Sequence, residues 1–588
     1  MKVIKMLSKA VREYKKTSIL TLILMVGEAV IESLIPYITA TYLINKIQRE
    51  GANLKIGDIL LVGALLVVMA LGSLTCGGLA GFTSAKASSG FAKNLRHDIF
   101  SKIQTFSFSN IDRFSSSSLV TRMTTDVSNV QMSYMMVIRT AVRSPLMLIF
   151  SVTMAATMGG LLAATFVVVI PVLAVGLIIV GKKAMPAFHR VFRRYDKLNE
   201  SIEENVRAMR VVKGFSREEY EKEKFGREAD SIKDDFTKAE RIVAVNTPLM
   251  NFCMYFNMAF ILLLGSYLAI NHKESGVNIG HISALLTYGM QVLMSLMMLS
   301  MIYVILTISA ESAKRICEVL EETPDLASPD NAVKEVADGS VTFENVSFKY
   351  SKEGKLYALS DVDISIKSGM TVGILGGTGS GKSSLVQLIP RLYDATVGVV
   401  RVGGIDVKNY DLDALRGSVS MVLQKNLLFS GTIKENLRWG NEDATDEELV
   451  EACRLAQADE FIRSFPDGYD TYIEQGGTNV SGGQKQRLCI ARALVGNPKI
   501  LILDDSTSAV DTKTDALIRK GFKEFIPDIT KIIIAQRVAS VQDADLIIVM
   551  DKGCVADAGS HDELMQRSDI YREVFTQQTM GGDFDEEN

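Results

Sequence analysis

The sequence has few cysteines and histidines, and their scatter excludes several classes of protein. Six cysteines occur among 588 residues, and no two of them form a Cys-x-x-Cys pair. They fit neither a zinc site nor the disulfide framework of a small secreted domain, so we expect free, mostly packed thiols. The five histidines show no metal-ligand spacing. A net charge of −4 gives no sign that nucleic acid is a partner.

Long apolar runs are confined to about the first 310 residues. A helix that crosses the hydrocarbon core of a membrane needs roughly 20 apolar residues. Six segments meet that length, at about 18–43, 57–81, 139–159, 161–181, 248–270 and 282–306. The long polar stretches after the second and the fourth segment hold more lysine and arginine than the other loops. The positive-inside bias therefore predicts that these stretches and both termini lie in the cytoplasm.

The polar parts of this region also carry patterns. Residues 1–16 are rich in lysine and precede an apolar run of spanning length, which predicts a cytoplasmic amphipathic elbow rather than a cleaved signal peptide. The long polar stretches keep helical spacing and have little glycine or proline. We therefore expect helices that continue well past the membrane, with ordinary solvated loops as the alternative.

A phosphate-binding loop follows an apolar strand in the second half of the chain. The segment Gly376–Ser384 is GGTGSGKSS and matches G-x-x-x-x-G-K-[ST], between the strand-like MTVGIL and the helical SLVQLI. Its glycines allow backbone N–H groups to surround a phosphate, at the positive end of a helix. Lys382 adds a charge, and Ser383 offers a hydroxyl to Mg²⁺. The candidate ATP ligands here are Gly376, Gly377, Thr378, Gly379, Ser380, Gly381, Lys382, Ser383 and Ser384.

Two further segments complete the pattern. Asp504 ends the strand-like KILILD, where it would hold Mg²⁺ through water. The segment Asn479–Arg487, NVSGGQKQR, opens a helix with Ser481, Gly482 and Gly483, which makes it a second anion site. Two phosphate-binding helix ends in one chain are redundant unless each serves a different nucleotide.

These segments, together with VLQKNLLFSGTIKENL, LILDDSTSAVD and six spans, resemble the ATP-binding cassette (ABC) exporters of the bacterial multidrug and lipid type. The resemblance implies a half-transporter in the inner membrane of a bacterium, with two chains that pair and hold each ATP between the phosphate loop of one and the SGGQ of the other. It implies that Ser481, Gly482, Gly483 and Gln484 contact the partner's ATP. Tyr350 should stack on adenine, Gln424 should reach Mg²⁺, and Asp511 should lie in a loop that crosses the dimer. The tips near 110–114 and 209–215 match the coupling helices of the family.

We therefore predict an all-α membrane domain of six helices with long cytoplasmic extensions, fused to an α/β nucleotide-binding domain of the P-loop type. The expected boundaries are an elbow at 1–16, the membrane domain at 17–322, a linker at 323–340, the cassette at 341–577 and an acidic tail at 578–588. The membrane, ATP and Mg²⁺ are the partners that this organisation implies.

Two residues depart from the family in the same site. Asp505 stands where members that hydrolyse ATP well have a glutamate that acts as general base, and Gln536 stands where they have a histidine. Aspartate reaches about 1.3–1.5 Å less far, and glutamine cannot exchange a proton. Because the SGGQ is intact, we predict a site that binds ATP but hydrolyses it slowly, in a heterodimer whose other chain has the glutamate and the histidine. The alternatives are that Asp505 itself acts as the base, as aspartate does in other enzymes, and that Gln536 reflects neutral drift.

Glu28 and Glu32 lie one turn apart within the first apolar run. Carboxylates inside a membrane usually face a bundle interior or a watery cavity. We predict that they line a translocation cavity for amphiphilic, cationic cargo, with a structural role as the alternative. Arg139 and Arg143 are expected to snorkel to the membrane surface.

The leading prediction of function is thus one half of an ATP-driven exporter of amphiphilic drug-like or lipidic compounds. A lipid or lipid-linked flippase uses the same machinery and is the first alternative. The second is an ATP-gated channel or a regulatory subunit that does not pump, because a degenerate ATP site also suits gating.

Overall fold

The computed structural model describes residues 2–51, 56–271, 277–351, 354, 356–505 and 510–582. These residues form two compact units. The first unit comprises residues up to 104 and 115–322, and the second comprises residues 105–114 and those from 323 onward. All six cysteines lie among the described residues, and each is a free thiol.

Among its described residues, the first unit contains six helices that are long and apolar enough to cross a membrane, as the sequence predicted. We call the six α-helices that carry these segments the first to sixth spans: Lys15–Ile38, Ile56–Gln104, Val127–Gly159, Ala164–Arg207, Asn246–Asn271 and Ile279–Glu321. The other α-helices described in this unit are Lys2–Ser8, Asn45–Glu50, Ser116–Thr121, Met209–Gly214 and Glu218–Val243.

The second and fourth spans are far longer than a membrane requires. The second contains 49 residues, which at about 1.5 Å per residue is more than twice the roughly 30 Å of the hydrocarbon core. Its apolar N-terminal part gives way to a polar part with the same helical periodicity. The predicted helical extensions are therefore confirmed, and solvated loops are the wrong alternative for residues 82–104.

Among its described residues, the second unit contains two main sheets and one two-stranded sheet. Its strands are β1 Val341–Phe348, β2 Leu359–Ile366, β3 Thr371–Gly376, β4 Val397–Val402, β5 Ile405–Asp406, β6 Val419–Val422, β7 Gly431–Thr432, β8 Tyr472–Ile473, β9 Ile500–Asp504, β10 Thr530–Ile534, β11 Leu546–Asp551 and β12 Cys554–Gly559. The larger sheet has the order β12-β11-β3-β10-β9-β6, and only β12 runs antiparallel to its neighbour. The smaller, antiparallel sheet has the order β2-β1-β4-β5, and β7 pairs with β8.

The apolar runs explain the parallel sheet. Strands β9 and β10 are buried along their whole length, as expected for strands that are covered on both faces. The covering α-helices and their neighbours are Lys382–Gln387, Leu412–Ser418, Ile433–Leu437, Asp446–Leu455, Asp459–Ser464, Gly482–Val495, Thr512–Phe525, His561–Arg567 and Asp569–Gly582. Because β3, β9 and β10 are parallel neighbours, the segments that follow them meet at one edge of the sheet.

The short helix Phe108–Phe114 belongs to the second unit rather than the first. The Tyr393 hydroxyl donates a hydrogen bond to Asp112 Oδ2 at 2.8 Å, and the Ser109 hydroxyl donates one to Asp325 Oδ2 at 3.0 Å. The rings of Phe108 and Tyr393 lie 6.1 Å apart. This helix contains the tip that the sequence assigned to residues 110–114.

Candidate nucleotide-binding site

The phosphate loop follows β3 directly and precedes the helix Lys382–Gln387. Its turn depends on glycine at two positions. Gly376 has a φ of +152°, and a Cβ there would lie 2.3 Å from the carbonyl oxygen of Met550. Gly381 has a φ of +96°, and a Cβ there would lie 2.8 Å from the carbonyl oxygen of Ala358. A side chain at either position would strain the backbone and collide with one of these carbonyl oxygens, so the turn requires glycine at both.

Lys382 folds back over the loop. Its ammonium donates hydrogen bonds to the carbonyl oxygens of Gly376 and Gly377, each at 2.8 Å. Burial lowers the pKa of Lys382, while the nearby Asp504 and Asp505 act in the opposite direction. The Ser380 hydroxyl is buried and has no hydrogen-bond partner among the described residues. A cation over carbonyl groups and an orphaned hydroxyl fit a phosphate ligand, which would offer both groups strong acceptors.

Asp504 and Ser383 provide the oxygens that Mg²⁺ prefers. Asp504 ends β9 and is only 4% exposed. Burial raises its pKa, and a hydrogen bond from Ser383 acts against that rise. Gln424 comes two residues after the end of β6, which pairs with β9 through Val422 and Leu503. Carboxylate, hydroxyl and amide oxygens suit Mg²⁺, so Ser383, Gln424 and Asp504 would hold the ion beside the phosphates.

The two residues that depart from the family contact each other. The Gln536 side-chain amide donates a hydrogen bond to Asp505 Oδ2 at 2.8 Å. The backbone N–H of Asp505 donates to the carbonyl of Ile534 at 3.0 Å, which ties the end of β9 to β10. Asp505 adopts a φ of +50°, a left-handed conformation that aspartate tolerates better than most residues. The proximity of these two side chains was expected from the topology, but their direct hydrogen bond was not.

Tyr350 lies beside the helix that follows the phosphate loop. Its hydroxyl lies 2.9 Å from the Ser384 hydroxyl and donates to Gln387 Oε1 at 3.2 Å. The ring is half-exposed and packs edge-on against Phe348 and Tyr393. These contacts hold an aromatic face near the loop, where the predicted adenine contact requires one.

Ser481 and Asp511 both cap helices. Ser481 and Gln484 form a reciprocal capping box at the start of the helix Gly482–Val495, with bonds of 3.3 and 2.9 Å. Ser481 and Gly482 are exposed. Asp511 Oδ1 accepts from the Thr514 N–H at 2.9 Å, and that bond lowers the pKa of the carboxyl. Among the described residues, the cavity beside the phosphate loop is lined by the loop, Gln536 and the C-terminal helix, and by none of Asn479–Arg487.

In the membrane unit, Glu28 and Glu32 share a partner that sequence reasoning missed. Arg143 Nη2 donates to Glu32 Oε2 at 2.5 Å, and its Nε lies 3.5 Å from Glu28 Oε1. Arg143 therefore pairs with two carboxylates of the first span, and its position relative to the membrane surface stays a prediction. The sequence did contain a signal for this pairing, because Arg143 and the two glutamates are opposite charges within apolar runs.

Six membrane helices, joined in one chain to a cassette with a phosphate loop and a metal-binding carboxylate, define an ATP-dependent membrane transporter. The sequence profile of the ABC transporter transmembrane region matches residues 18–296, and the ABC transporter profile matches residues 359–508. The chain belongs to the ABC transporter family. It is a multi-pass membrane protein with a cytoplasmic ATPase cassette, and its family drives transport with ATP.

Relatives and a solved structure agree with this assignment. The uncharacterized ABC transporter ATP-binding protein YfiB of Bacillus subtilis is 34% identical over 96% of this chain and 97% of its own. A fatty acid ABC transporter ATP-binding/permease protein of Mycobacterium bovis is 32% identical over 82% of this chain and 75% of its own. The structure of a bacterial Atm1-family ABC exporter with ATP bound matches with a TM-score of 0.81 at 23% identity, covering 96% of this chain and 98% of that one. The last likeness shows the shared fold.

Proposed function

We propose that the protein is one half of a heterodimeric exporter whose own site binds ATP and hydrolyses it slowly. The observation that carries this proposal is the hydrogen bond between Gln536 and Asp505 beside a complete phosphate loop. A general base must accept a proton from the attacking water. Here the candidate base is one methylene too short, and one of its oxygens already accepts a hydrogen bond from an amide that cannot carry the proton onward.

The intact signature supports the division of labour. Ser481 is fixed by its capping box, and its helix end is exposed to solvent. That end is suited to complete the ATP site of a second chain. A homodimer would contain two slow sites, whereas a partner with glutamate and histidine at the matching positions would supply one fast site.

Magnesium and membrane topology complete the proposal. Mg²⁺ bound by Ser383, Gln424 and Asp504 would neutralise phosphate charge and orient the nucleotide. Both termini lie in the cytoplasm, at the inner membrane of a bacterium. The lysine-rich N-terminus and the basic polar stretches support this orientation.

We infer that the cargo is amphiphilic and that Glu28 and Glu32 face its path. The two carboxylates and Arg143 are partly exposed, with 14%, 28% and 36% of their side-chain surfaces accessible. Arg143 reduces the charge that would favour cations, so cationic cargo stays a prediction. The double variant Glu28→Gln/Glu32→Gln tests it, because unchanged transport of a cationic dye in membrane vesicles would count against this role.

Lipid translocation is the second candidate. It is favoured by the name of the Mycobacterium bovis relative, which is described as a fatty acid transporter. Both arms use vesicles that contain this chain and its partner. ATP-dependent movement of a labelled lipid between leaflets, without accumulation of dye, would favour the flippase over the exporter of drug-like compounds.

ATP turnover by the purified full chain tests the slow site. We expect ATP binding with little phosphate release. Rapid turnover that Asp505→Asn abolishes would contradict the proposal, because it would identify Asp505 as an effective base.

A further inference from the structure

The C-terminal helix Asp569–Gly582 lines a cavity beside the phosphate loop. The cavity has a volume of about 270 Å³. One wall contains Gly376, Lys382 and Gln536, and the other contains Tyr571 and its neighbours on the C-terminal helix. This helix therefore faces the space into which the loop opens, although no nucleotide-binding motif of the sequence includes it.

Gln578 on this helix binds the segment that carries Gln536. Its Oε1 accepts a hydrogen bond from the backbone N–H of Val538, and its Nε2 donates one to the backbone carbonyl of Gln536, both at 2.8 Å. One side-chain amide thus bridges the two ends of a three-residue segment. The residues are 42 positions apart in sequence, so tertiary packing alone brings them together.

Gln536 and Arg537 lie outside regular secondary structure. They connect β10, which ends at Ile534, to a short 3-10 helix that begins at Val538. Gln536 and Arg537 are exposed, whereas Val538 is buried. Without Gln578, the backbone at Gln536 would lose an anchor between the strand and the turn. With Gln578 in place, the Gln536 backbone is held in position while its side chain donates to Asp505.

We propose that Gln578 is a positioning residue that lets the site distinguish ATP from ADP. It acts through Gln536, which lines the cavity beside the phosphate loop. The Gln536 amide has two N–H groups, so it can donate one to Asp505 and the other to the terminal phosphate of ATP. ADP lacks that phosphate, so its binding should not depend on where Gln536 points. The inference rests on the proposed function for ATP binding at this loop, and it adds the C-terminal helix to the parts that set nucleotide preference.

The test is equilibrium binding of a non-hydrolysable ATP analogue and of ADP, each with Mg²⁺, to the full chain in lipid nanodiscs. We expect Gln578→Ala to weaken binding of the ATP analogue about two- to tenfold, the range for loss of one or two hydrogen bonds. ADP binding should change less than twofold. Gln577→Ala is the matched control, because the Gln577 amide donates to Glu573 on the same helix, at 3.1 Å, and should alter neither affinity.

A double-mutant cycle separates positioning from folding. If Gln578 acts through Gln536, the Gln536→Ala/Gln578→Ala variant should lose no more ATP affinity than Gln536→Ala alone. Additive losses would overturn the inference, as would equal losses of ATP and ADP binding or no loss at all. Rapid ATP turnover by the chain would contradict the proposed slow site but not the role of Gln578. The ratio of ATP-analogue affinity to ADP affinity is measured without hydrolysis.

Discussion

The phosphate loop and the Asp505–Gln536 pair lie at the ends of adjacent strands. The loop is arranged to bind phosphate, whereas the pair is poorly arranged to accept a proton. The loop holds its shape through Gly376 and Gly381, where a Cβ would collide with a backbone carbonyl oxygen, and Lys382 folds back over the loop. In the pair, by contrast, an amide satisfies the carboxylate that should act as a base. Under the proposed function, one edge of the sheet would keep nucleotide binding while giving up hydrolysis.

The physical reason is the different tolerance of the two tasks. Binding a phosphate draws on many backbone N–H groups, a helix end and a cation, which act together over several ångströms. Proton transfer needs one acceptor of suitable pKa within hydrogen-bond reach of one water. A change of one methylene therefore matters more for hydrolysis than for binding.

Replacing Asp505 and Gln536 with the family's glutamate and histidine should have the largest effect, because it should restore hydrolysis to the site. We expect Asp505→Glu/Gln536→His to raise ATP turnover of the full chain by about 10²-fold or more, because a base regains its reach and a proton carrier is added. Phosphate release measures it. Asp551→Glu is the control, since Asp551 ends the neighbouring strand β11 and is exposed. Unchanged turnover by a variant that still binds ATP would show that another feature limits this site.

Removing the positive charge of Lys382 should show that ATP binding depends on the phosphate loop and not on Asp505. Lys382→Ala should weaken ATP binding about 10- to 100-fold, because a charged hydrogen bond of about 1.5–3 kcal/mol is lost. Asp505→Asn should change the same affinity less than about threefold, since binding does not need the base. Equilibrium binding with Mg-ATP distinguishes them, and Lys520→Ala, at an exposed helix position, provides the control. Equal effects of Lys382→Ala and Asp505→Asn would contradict the separation of binding from hydrolysis.

The smallest effect concerns stability at Asp504. Burial raises the pKa of this carboxyl, so its charged form destabilises the folded cassette at pH values above that pKa. Asp504→Asn should therefore raise the melting temperature at pH 7 by a few degrees, since about 1 kcal/mol corresponds to roughly 2–4 °C in a domain of this size. The gain should shrink as the pH falls through the raised pKa, because Asp504 then becomes protonated.

Thermal unfolding of the nucleotide-free chain, without Mg²⁺, measures this difference across pH. Asp551→Asn is the exposed control and should leave the melting temperature unchanged. A stabilisation by Asp504→Asn that is equal at acidic and neutral pH would contradict a charge-based cause. The same variant should bind Mg-ATP more weakly, so stability and function would change in opposite directions.

Much of the architecture followed from local pattern. Six apolar runs predicted six membrane helices, and the polar helical spacing after the second run predicted its extension beyond the membrane. The phosphate loop was predictable because its glycines, Lys382 and Ser383 are adjacent in sequence. The ion pairs of Arg143 were not, because they depend on how the third span packs against the first.

The family, the six membrane helices, the phosphate loop and the departures at Asp505 and Gln536 can all be read from the sequence, because each depends on residues close together in the chain. Which distant groups meet depends on the tertiary fold. It joined Gln536 to Asp505, Gln578 to the backbone of Gln536, and Arg143 to Glu28 and Glu32. Hydrogen bonds and ion pairs act over a few ångströms, and strand order and helix packing determine which residues come that close.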